Sequence, residues 1–281
     1  KSGSISTVQN VSGKNTPQCG DTDRSYGVAK RRHSLRGLWM KNSVLFSLLM
    51  CCLLTSIPSL AANLDVKIAE DKPYAMVNHG EDMVKVQRIQ DTSNTLEGAF
   101  TKTSRPCPPF CVNPLNIEEG VATVAELEVV KFMETAMNSG NGIMIDARSP
   151  DWHQKGTIPG SVNIPFTVFE KPADDPELVE VLERLGAKQR DDVSAVMRSL
   201  EKVGLFNGDE KTDRWDFSEA RQLLLWCNGP WCGQSPRAIH ALVALGYPAE
   251  KLYYYRGGMQ MWQSLGLSTV LPSDISSYAS K

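Results

Sequence analysis

The hydrophobic positions of this 281-residue chain fall into two kinds of pattern. Apolar residues that recur every three or four positions predict helices at residues 124–137, 175–186, 191–205, 236–245 and 259–265. Short continuous apolar runs predict buried strands at residues 142–146, 162–165, 223–226 and 252–255. Helices that alternate with such strands predict an α/β fold, a sandwich around a mainly parallel sheet.

Two of these helices carry more detailed expectations. A capping box formed by Thr123 and Glu126 is expected to begin the helix at residues 124–137. The apolar stripe of the helix at residues 191–205 comprises Val193, Val196, Met197, Leu200 and Val203.

The residues before this pattern predict a small extension. Residues 74–89 read as a β-hairpin with turn residues at 78–81, which is too small for a core of its own. Residues 105–114 contain four prolines and predict a stiff, extended connector. We therefore divide this part of the chain into an extension with its connector at residues 62–119, a main domain at 120–270 and a tail at 271–281.

The segment at residues 40–61 has the pattern of a secretory signal. Met40 and Lys41 precede a short apolar run at residues 43–57, and small residues follow Pro58. Cleavage is expected after Ala61, which leaves no stable membrane insertion and predicts a periplasmic or secreted protein; an uncleaved anchor is the alternative. Residues 1–39 are interpreted as upstream sequence or a disordered extension.

Composition and charge limit the function classes. The chain is 41% hydrophobic and 22% charged with a net charge of −2, which is typical of a globular protein and gives no sign of a nucleic-acid partner. Four of the seven cysteines follow the signal, and an oxidising compartment permits disulfides between them. Their three full pairings stay open. Their spacing is not that of a zinc site, so no metal or cofactor is predicted.

A cysteine at the end of a predicted strand is the candidate nucleophile. Cys227 follows the apolar run at residues 223–226, and Ser235 is expected to cap the next helix with Pro236 in its first turn. Loop N–H groups and the helix dipole favour negative charge beside Cys227, so a nucleophilic thiolate is predicted. The active-site loop comprises Asn228, Gly229, Pro230, Trp231, Cys232, Gly233, Gln234 and Ser235.

Three separated segments resemble a known family. Residues 146–152 and 156–165 look like the N-terminal signature of rhodanese-like sulfurtransferases, and residues 257–262 look like their C-terminal signature. Cys227 falls where this family places its catalytic cysteine. The resemblance, to an exported single-domain member, implies a three-layer α/β/α sandwich around a five-stranded sheet, with a persulfide carried on Cys227.

Further residues are candidates around this cysteine. Arg237 and Arg256 are predicted to bind an anionic sulfur donor. The resemblance suggests that Asp146 and Arg148 tie loops together as an ion pair. Cys232 either resolves an oxidised state of Cys227 or is an inert thiol. For Cys107 and Cys111, a structural disulfide and a second redox pair are both open.

The leading hypothesis is an exported sulfurtransferase that passes sulfane sulfur from Cys227 to a thiol or cyanide. Its partners are a small sulfur anion or persulfide donor and a thiol acceptor, and a redox protein partner is an open alternative. A thiol–disulfide oxidoreductase using Cys227 and Cys232, or a catalytically silent binding module, are the competing hypotheses. A phosphatase of the Cys-x5-Arg type is disfavoured because position 233 is Gly.

Overall fold

The computed structural model describes residues 64–191 and 193–272. The segment at residues 1–39, the secretory signal predicted at residues 40–61 and residues 273–281 of the tail lie outside this part.

A five-stranded sheet forms the centre of the main domain. Its strand order is β3-β9-β8-β4-β5, and every neighbouring pair is parallel, as the sequence pattern predicts. A two-stranded hairpin precedes it, and β6 pairs with β7 between the fourth and sixth helices. The strands are β1 Tyr74–His79, β2 Asp82–Gln87, β3 Ala122–Val124, β4 Gly142–Asp146, β5 Ser161–Asn163, β6 Lys188–Gln189, β7 Trp215–Asp216, β8 Gln222–Trp226 and β9 Leu252–Tyr255.

Helices connect these strands and cover the sheet. The first continues as a π-helical turn at Met133–Met137, and short 3₁₀ turns lie at Gly98–Thr101, Gly208–Glu210 and Ala249–Lys251. The α-helices are α1 Glu126–Phe132, α2 Pro150–His153, α3 Phe166–Phe169, α4 Pro176–Arg184, α5 Ala195–Lys202, α6 Gln234–Ala244 and α7 Gly258–Ser264.

Strand β8 is buried on both faces. Leu223 and Leu225 join the core on the side of α4 and α6, and Leu224 and Trp226 join the core on the side of α1 and α7. All four side chains have no exposed area, and burying one such side chain contributes about 1.5–3 kcal/mol. Helices on both faces explain why this strand reads as an unbroken apolar run.

The predicted hairpin is present and packs on the main domain. Strands β1 and β2 are antiparallel, and Gly80 at the turn has φ 73°, a conformation that glycine adopts without a side-chain clash. Val77 and Val86 enter the core on the α1 side. The Ser268 N–H donates to the Gln87 carbonyl at 2.9 Å, which ties the hairpin to the chain after α7.

Two expectations about helix starts are wrong. Ser235 does not cap α6, because the helix begins at Gln234 after Gly233 and places Ser235 in its first turn. Thr123 forms no capping box with Glu126, because Thr123 lies in β3 and pairs with Tyr254 of β9. Neither residue is therefore available as a cap: Thr123 pairs in the sheet, and Ser235 lies within the first turn of α6.

The region between β5 and β8 also differs in part. Helix α5 is present, but Val196 and Val203 are 71% and 73% exposed, so much of its apolar stripe lies outside the core. The strands β3, β6 and β7 were not predicted. They have only two or three residues each, too few to show a period.

A buried polar network ties the loops beside β4. Arg148 donates to both carboxylate oxygens of Asp146, at 2.8 and 2.6 Å, and also to the Gly156 carbonyl at 2.7 Å. Thr157 donates its hydroxyl proton to Asp146, and the His153 ring lies 2.9 Å from the same carboxylate. The structure thus places the Asp146–Arg148 pair in the core, where it joins β4 to the segment after α2.

We expect Asp146→Ala to lower the free energy of unfolding by about 3–5 kcal/mol, because Arg148 stays buried without its counter-ion. Burial opposes the charge of Asp146, but hydrogen bonds from Arg148 and His153 outweigh it and hold its pKa below the ordinary value. This contribution is present above the unfolded-state pKa, about 3.9, and is lost as pH falls through the lower folded-state pKa.

Urea unfolding at neutral pH and at decreasing acid pH measures both effects. Asp151→Ala, at an exposed position of α2, is the matched control and should change stability by less than about 0.5 kcal/mol. Equal losses in the two variants would contradict the role given to the network.

Candidate active site

Cys227 lies at the carboxyl edge of the central sheet. It directly follows Trp226, which pairs with Asp146 of β4 and Tyr255 of β9, so the cysteine emerges between two neighbouring strands. In parallel α/β sheets this edge is where ligands bind. Cys227 is only 2% exposed, so the loop covers the thiol in the resting structure.

Short polar contacts surround the thiol. The Ser235 hydroxyl donates to Cys227 Sγ at 3.1 Å, and the protonated thiol donates to the Cys232 carbonyl at 3.2 Å. The Cys232 thiol in turn lies 3.4 Å from Gln234 Oε1. Because α6 begins one residue before Ser235, this hydroxyl faces the cysteine and is not used as a helix cap.

These contacts favour the thiolate of Cys227. Burial is the largest influence and opposes ionisation, but donors outweigh it: the Cys232 thiol, the Ser235 hydroxyl and the N–H groups of Ser235 and Gly229. Together they lower the pKa of Cys227 from 9.0 to about 7. The same contact with Cys227, together with burial, raises the pKa of Cys232. The two thiols therefore differ: Cys227 ionises and Cys232 stays protonated.

The segment at residues 257–262 holds the active-site loop in place. The N–H groups of Met259 and Gln260 donate to the carbonyls of Cys227 and Asn228, at 2.9 and 3.0 Å. Gly258 permits this approach, since it has φ 54° and an added Cβ would lie 2.2 Å from the Cys227 carbonyl oxygen. The glycine of this motif thus has a packing role directly behind the nucleophile.

The proline-rich connector lies against the loop, and we call residues 105–113 the cap. Phe110 packs edge-on against Trp231 with ring centroids 5.4 Å apart, and the Arg105 guanidinium lies 4.4 Å from the Trp231 ring. Asn113 binds the loop twice, from its N–H to the Pro230 carbonyl and from its side chain to the Cys232 carbonyl, both at 2.8 Å. The cap therefore contacts the active-site loop through both aromatic and polar groups.

The four described cysteines occur in two different states. Cys107 and Cys111 form a disulfide that closes the cap on itself, whereas Cys227 and Cys232 are free thiols. The bond at the first pair fits both the structural and the redox interpretation of Cys107 and Cys111. A redox role for either pair stays a prediction.

The two predicted anion-binding arginines have protein partners. Arg237 forms a two-pronged pair with Glu170, at 2.6 Å from each oxygen, and stacks over the Phe166 ring. Arg256 donates to the Asn113 carbonyl and so anchors the cap. Among the described residues neither forms a hydrogen bond with Cys227, and their role toward a donor stays a prediction.

Sequence reasoning missed the cap contacts and the first-turn position of Ser235. Phe110 and Asn113 lie more than one hundred residues before the loop, and no periodicity connects them. Within residues 64–191 and 193–272 no group of three or more His, Cys, Asp or Glu side chains could hold a metal ion. No helix in these two ranges is long and apolar enough to cross a membrane.

The comparison with known proteins assigns the fold of this site. Residues 130–265 match the model of the rhodanese-like domain, so this part of the chain is a rhodanese-like domain. The match spans β4, β5, β8 and β9 together with the whole active-site loop. No curated protein matches the chain significantly.

Solved structures show weaker similarity. Human single domain sulfurtransferase TSTD1 is 20% identical with a TM-score of 0.30, covering 51% of this chain and 96% of its own. A rhodanese-related protein from Thermoplasma volcanium is 19% identical with a TM-score of 0.30, covering 53% and 98%. A Rhodopseudomonas palustris protein described as a possible tyrosine phosphatase is 14% identical with a TM-score of 0.35, covering 55% and 88%. These values are too low to support an argument about activity.

We expect the alkylation rate of Cys227 to rise with pH through a midpoint of about 7, because only the thiolate reacts. Ser235→Ala should raise this midpoint by about one unit, since it removes a hydrogen bond to a charged sulfur. Iodoacetamide labelling followed by mass spectrometry of the Cys227 peptide measures both. Ser199→Ala, at an exposed position of α5, is the control. A wild-type midpoint near that of a free thiol would contradict this account.

The cap supplies a separate prediction about access. Phe110→Ala removes the contact with Trp231 and should increase the alkylation rate of fully ionised Cys227 severalfold while leaving the midpoint unchanged. Val112→Ala is the matched control within the cap, because Val112 is 74% exposed. If both variants label at the wild-type rate, loop opening does not depend on the cap.

Proposed function

We propose that this protein is a sulfurtransferase that carries a persulfide on Cys227. The observation that supports the proposal most directly is the set of hydrogen-bond donors directed at a buried cysteine in a rhodanese-like domain. These donors lower the pKa of Cys227 to about 7. Near neutral pH this thiol is about half ionised, and the thiolate is the nucleophilic form.

The proposed reaction has two sulfur-transfer steps. The Cys227 thiolate attacks the outer sulfur of a donor R–S–SH; the new bond forms between Cys227 Sγ and that sulfur, and R–S⁻ leaves with the bonding electrons. An acceptor thiolate or cyanide then attacks the outer sulfur of Cys227–S–SH. The acceptor becomes a persulfide or thiocyanate, the Cys227 thiolate leaves, and the outer proton goes to the acceptor persulfide or to solvent.

The arrangement of cations favours donors of low charge. Arg237 is paired with Glu170, and Arg256 is bound to the Asn113 carbonyl. Backbone N–H groups and the Ser235 hydroxyl supply dipoles at the thiol rather than a full positive charge. Persulfides, whose sulfur group carries at most one negative charge, therefore fit this site better than the thiosulfate dianion, whose desolvation calls for a cation nearby.

The free thiol of Cys232 favours a second candidate, thiol–disulfide exchange. Its side chain contacts the Cys227 thiol, and both cysteines are reduced in the structure. In this reaction a partner disulfide receives two electrons, Cys227 forms a mixed disulfide with it, and Cys232 displaces the partner to close a Cys227–Cys232 disulfide. The raised pKa of Cys232 makes the second step slow at neutral pH, so we place it below sulfur transfer.

We further propose that the protein works after export, in the periplasm or outside the cell. The segment at residues 40–61 supports this as a secretory signal. The Cys107–Cys111 disulfide supports it independently, because such bonds persist mainly in oxidising compartments.

Incubation of the reduced protein with glutathione persulfide and then cyanide tests the activity. We expect persulfide on Cys227 by mass spectrometry and thiocyanate as product. Cys227→Ala should abolish both, and Cys232→Ser should retain transfer, because the outer sulfur is carried by Cys227 alone.

Each alternative gives a different result. Loss of activity in Cys232→Ser with a Cys227–Cys232 disulfide in the wild type would support the oxidoreductase. Equal thiocyanate rates for wild type and Cys227→Ala would exclude Cys227 as the carrier. A wild-type protein that never takes up sulfur would favour the catalytically silent module.

A further inference from the structure

One buried hydroxyl beside the active site has no role in the resting structure. Tyr254 of β9 has no exposed area, and among residues 64–191 and 193–272 its hydroxyl proton has no acceptor. Buried polar groups are nearly always paired, so a buried hydroxyl donor without an acceptor calls for an explanation. One explanation is that the hydroxyl donates to a group that is bound during only part of the reaction cycle.

The sheet register places Tyr254 close to Cys227. Tyr254 pairs with Leu225 of β8, and both side chains lie in the core on the α6 side. Side chains alternate along a strand, so Cys227, two residues after Leu225, continues on that same side. The two Cα atoms are thus diagonal neighbours about 8 Å apart, which the length of a tyrosine side chain can span.

The surroundings of the hydroxyl agree with this placement. The Asn113 side-chain amide faces the hydroxyl as a donor and also donates to the Cys232 carbonyl, so it offers the phenolic proton no acceptor. Arg256 donates to the Asn113 carbonyl. Burial raises the pKa of Tyr254, and the charge of Cys227 raises it further. The hydroxyl therefore keeps its proton and can only act as a hydrogen-bond donor toward a sulfur anion.

The resting contacts of Cys227 provide donors for one sulfur atom only. Ser235 and the loop N–H groups bind Sγ itself, which becomes the inner sulfur of a persulfide. The outer sulfur extends about 2 Å further, carries most of the negative charge and needs a donor of its own.

We propose that the Tyr254 hydroxyl donates a hydrogen bond to the outer sulfur of the persulfide on Cys227, and so stabilises the loaded enzyme. This inference rests on the proposed sulfurtransferase function. It makes Tyr254 a binding residue for the transferred atom, with no part in ionising the resting thiol.

Tyr254→Phe tests the inference, because it removes the hydroxyl and keeps the ring. After loading with glutathione persulfide and removal of the donor, we expect persulfide on Cys227 to disappear about tenfold faster than in the wild type, as for loss of a hydrogen bond to a charged group. The pH midpoint of Cys227 alkylation should stay at its wild-type value. Tyr253→Phe is the matched control, since that ring lies on the other side of the sheet against Phe132.

The outcomes separate this inference from the function on which it rests. A wild-type persulfide lifetime in Tyr254→Phe overturns the inference and leaves the sulfurtransferase intact. A shifted alkylation midpoint also overturns it, because the hydroxyl then acts on the resting thiolate. A wild-type protein that accepts no sulfur overturns both. A crystal structure of the loaded wild type gives a test without any substitution, and an outer sulfur directed away from Tyr254 overturns the inference.

Discussion

The balance between burial and hydrogen bonding at Cys227 is the constraint on which this site depends. A buried thiol ordinarily keeps its proton, because water no longer solvates its anion. Here the Ser235 hydroxyl, two loop N–H groups and the Cys232 thiol replace that water. These donors already surround the thiol in the resting structure, so the thiolate is stabilised before a reactant arrives.

The fold supplies these donors through contacts on each side of the loop. Strand β8 fixes the position of Cys227, and α6 brings Ser235 toward it. Gly258 lets the start of α7 approach the Cys227 carbonyl, which holds the loop from behind. On the neighbouring strand β4, the network centred on Asp146 likewise fixes a loop: it holds the segment that follows α2.

The cap gives this domain a feature of its own. A disulfide-closed segment from outside the rhodanese-like match lies on the active-site loop and is anchored by Asn113 and Arg256. Arg256, which the sequence analysis predicted to bind an anionic donor, instead donates to the Asn113 carbonyl and anchors the cap. Residues 105–113 thus contact the loop that covers Cys227 through both aromatic and polar groups.

The sequence by itself determined the strand-and-helix alternation, the hairpin and the cysteine at the end of β8, because apolar runs and helical periods are local signals. The Gly-Gly motif at residues 257–258 was also visible in the sequence. Only the structure shows why Gly258 is needed, since a Cβ there would clash with the Cys227 carbonyl. Tertiary structure decided the cysteine pairing, the start of α6 and the commitment of Arg237 and Arg256 to Glu170 and Asn113. Most of these features depend on contacts between residues that are far apart in the chain. Such contacts produce no repeating pattern of hydrophobic and polar residues, so the sequence alone does not predict them.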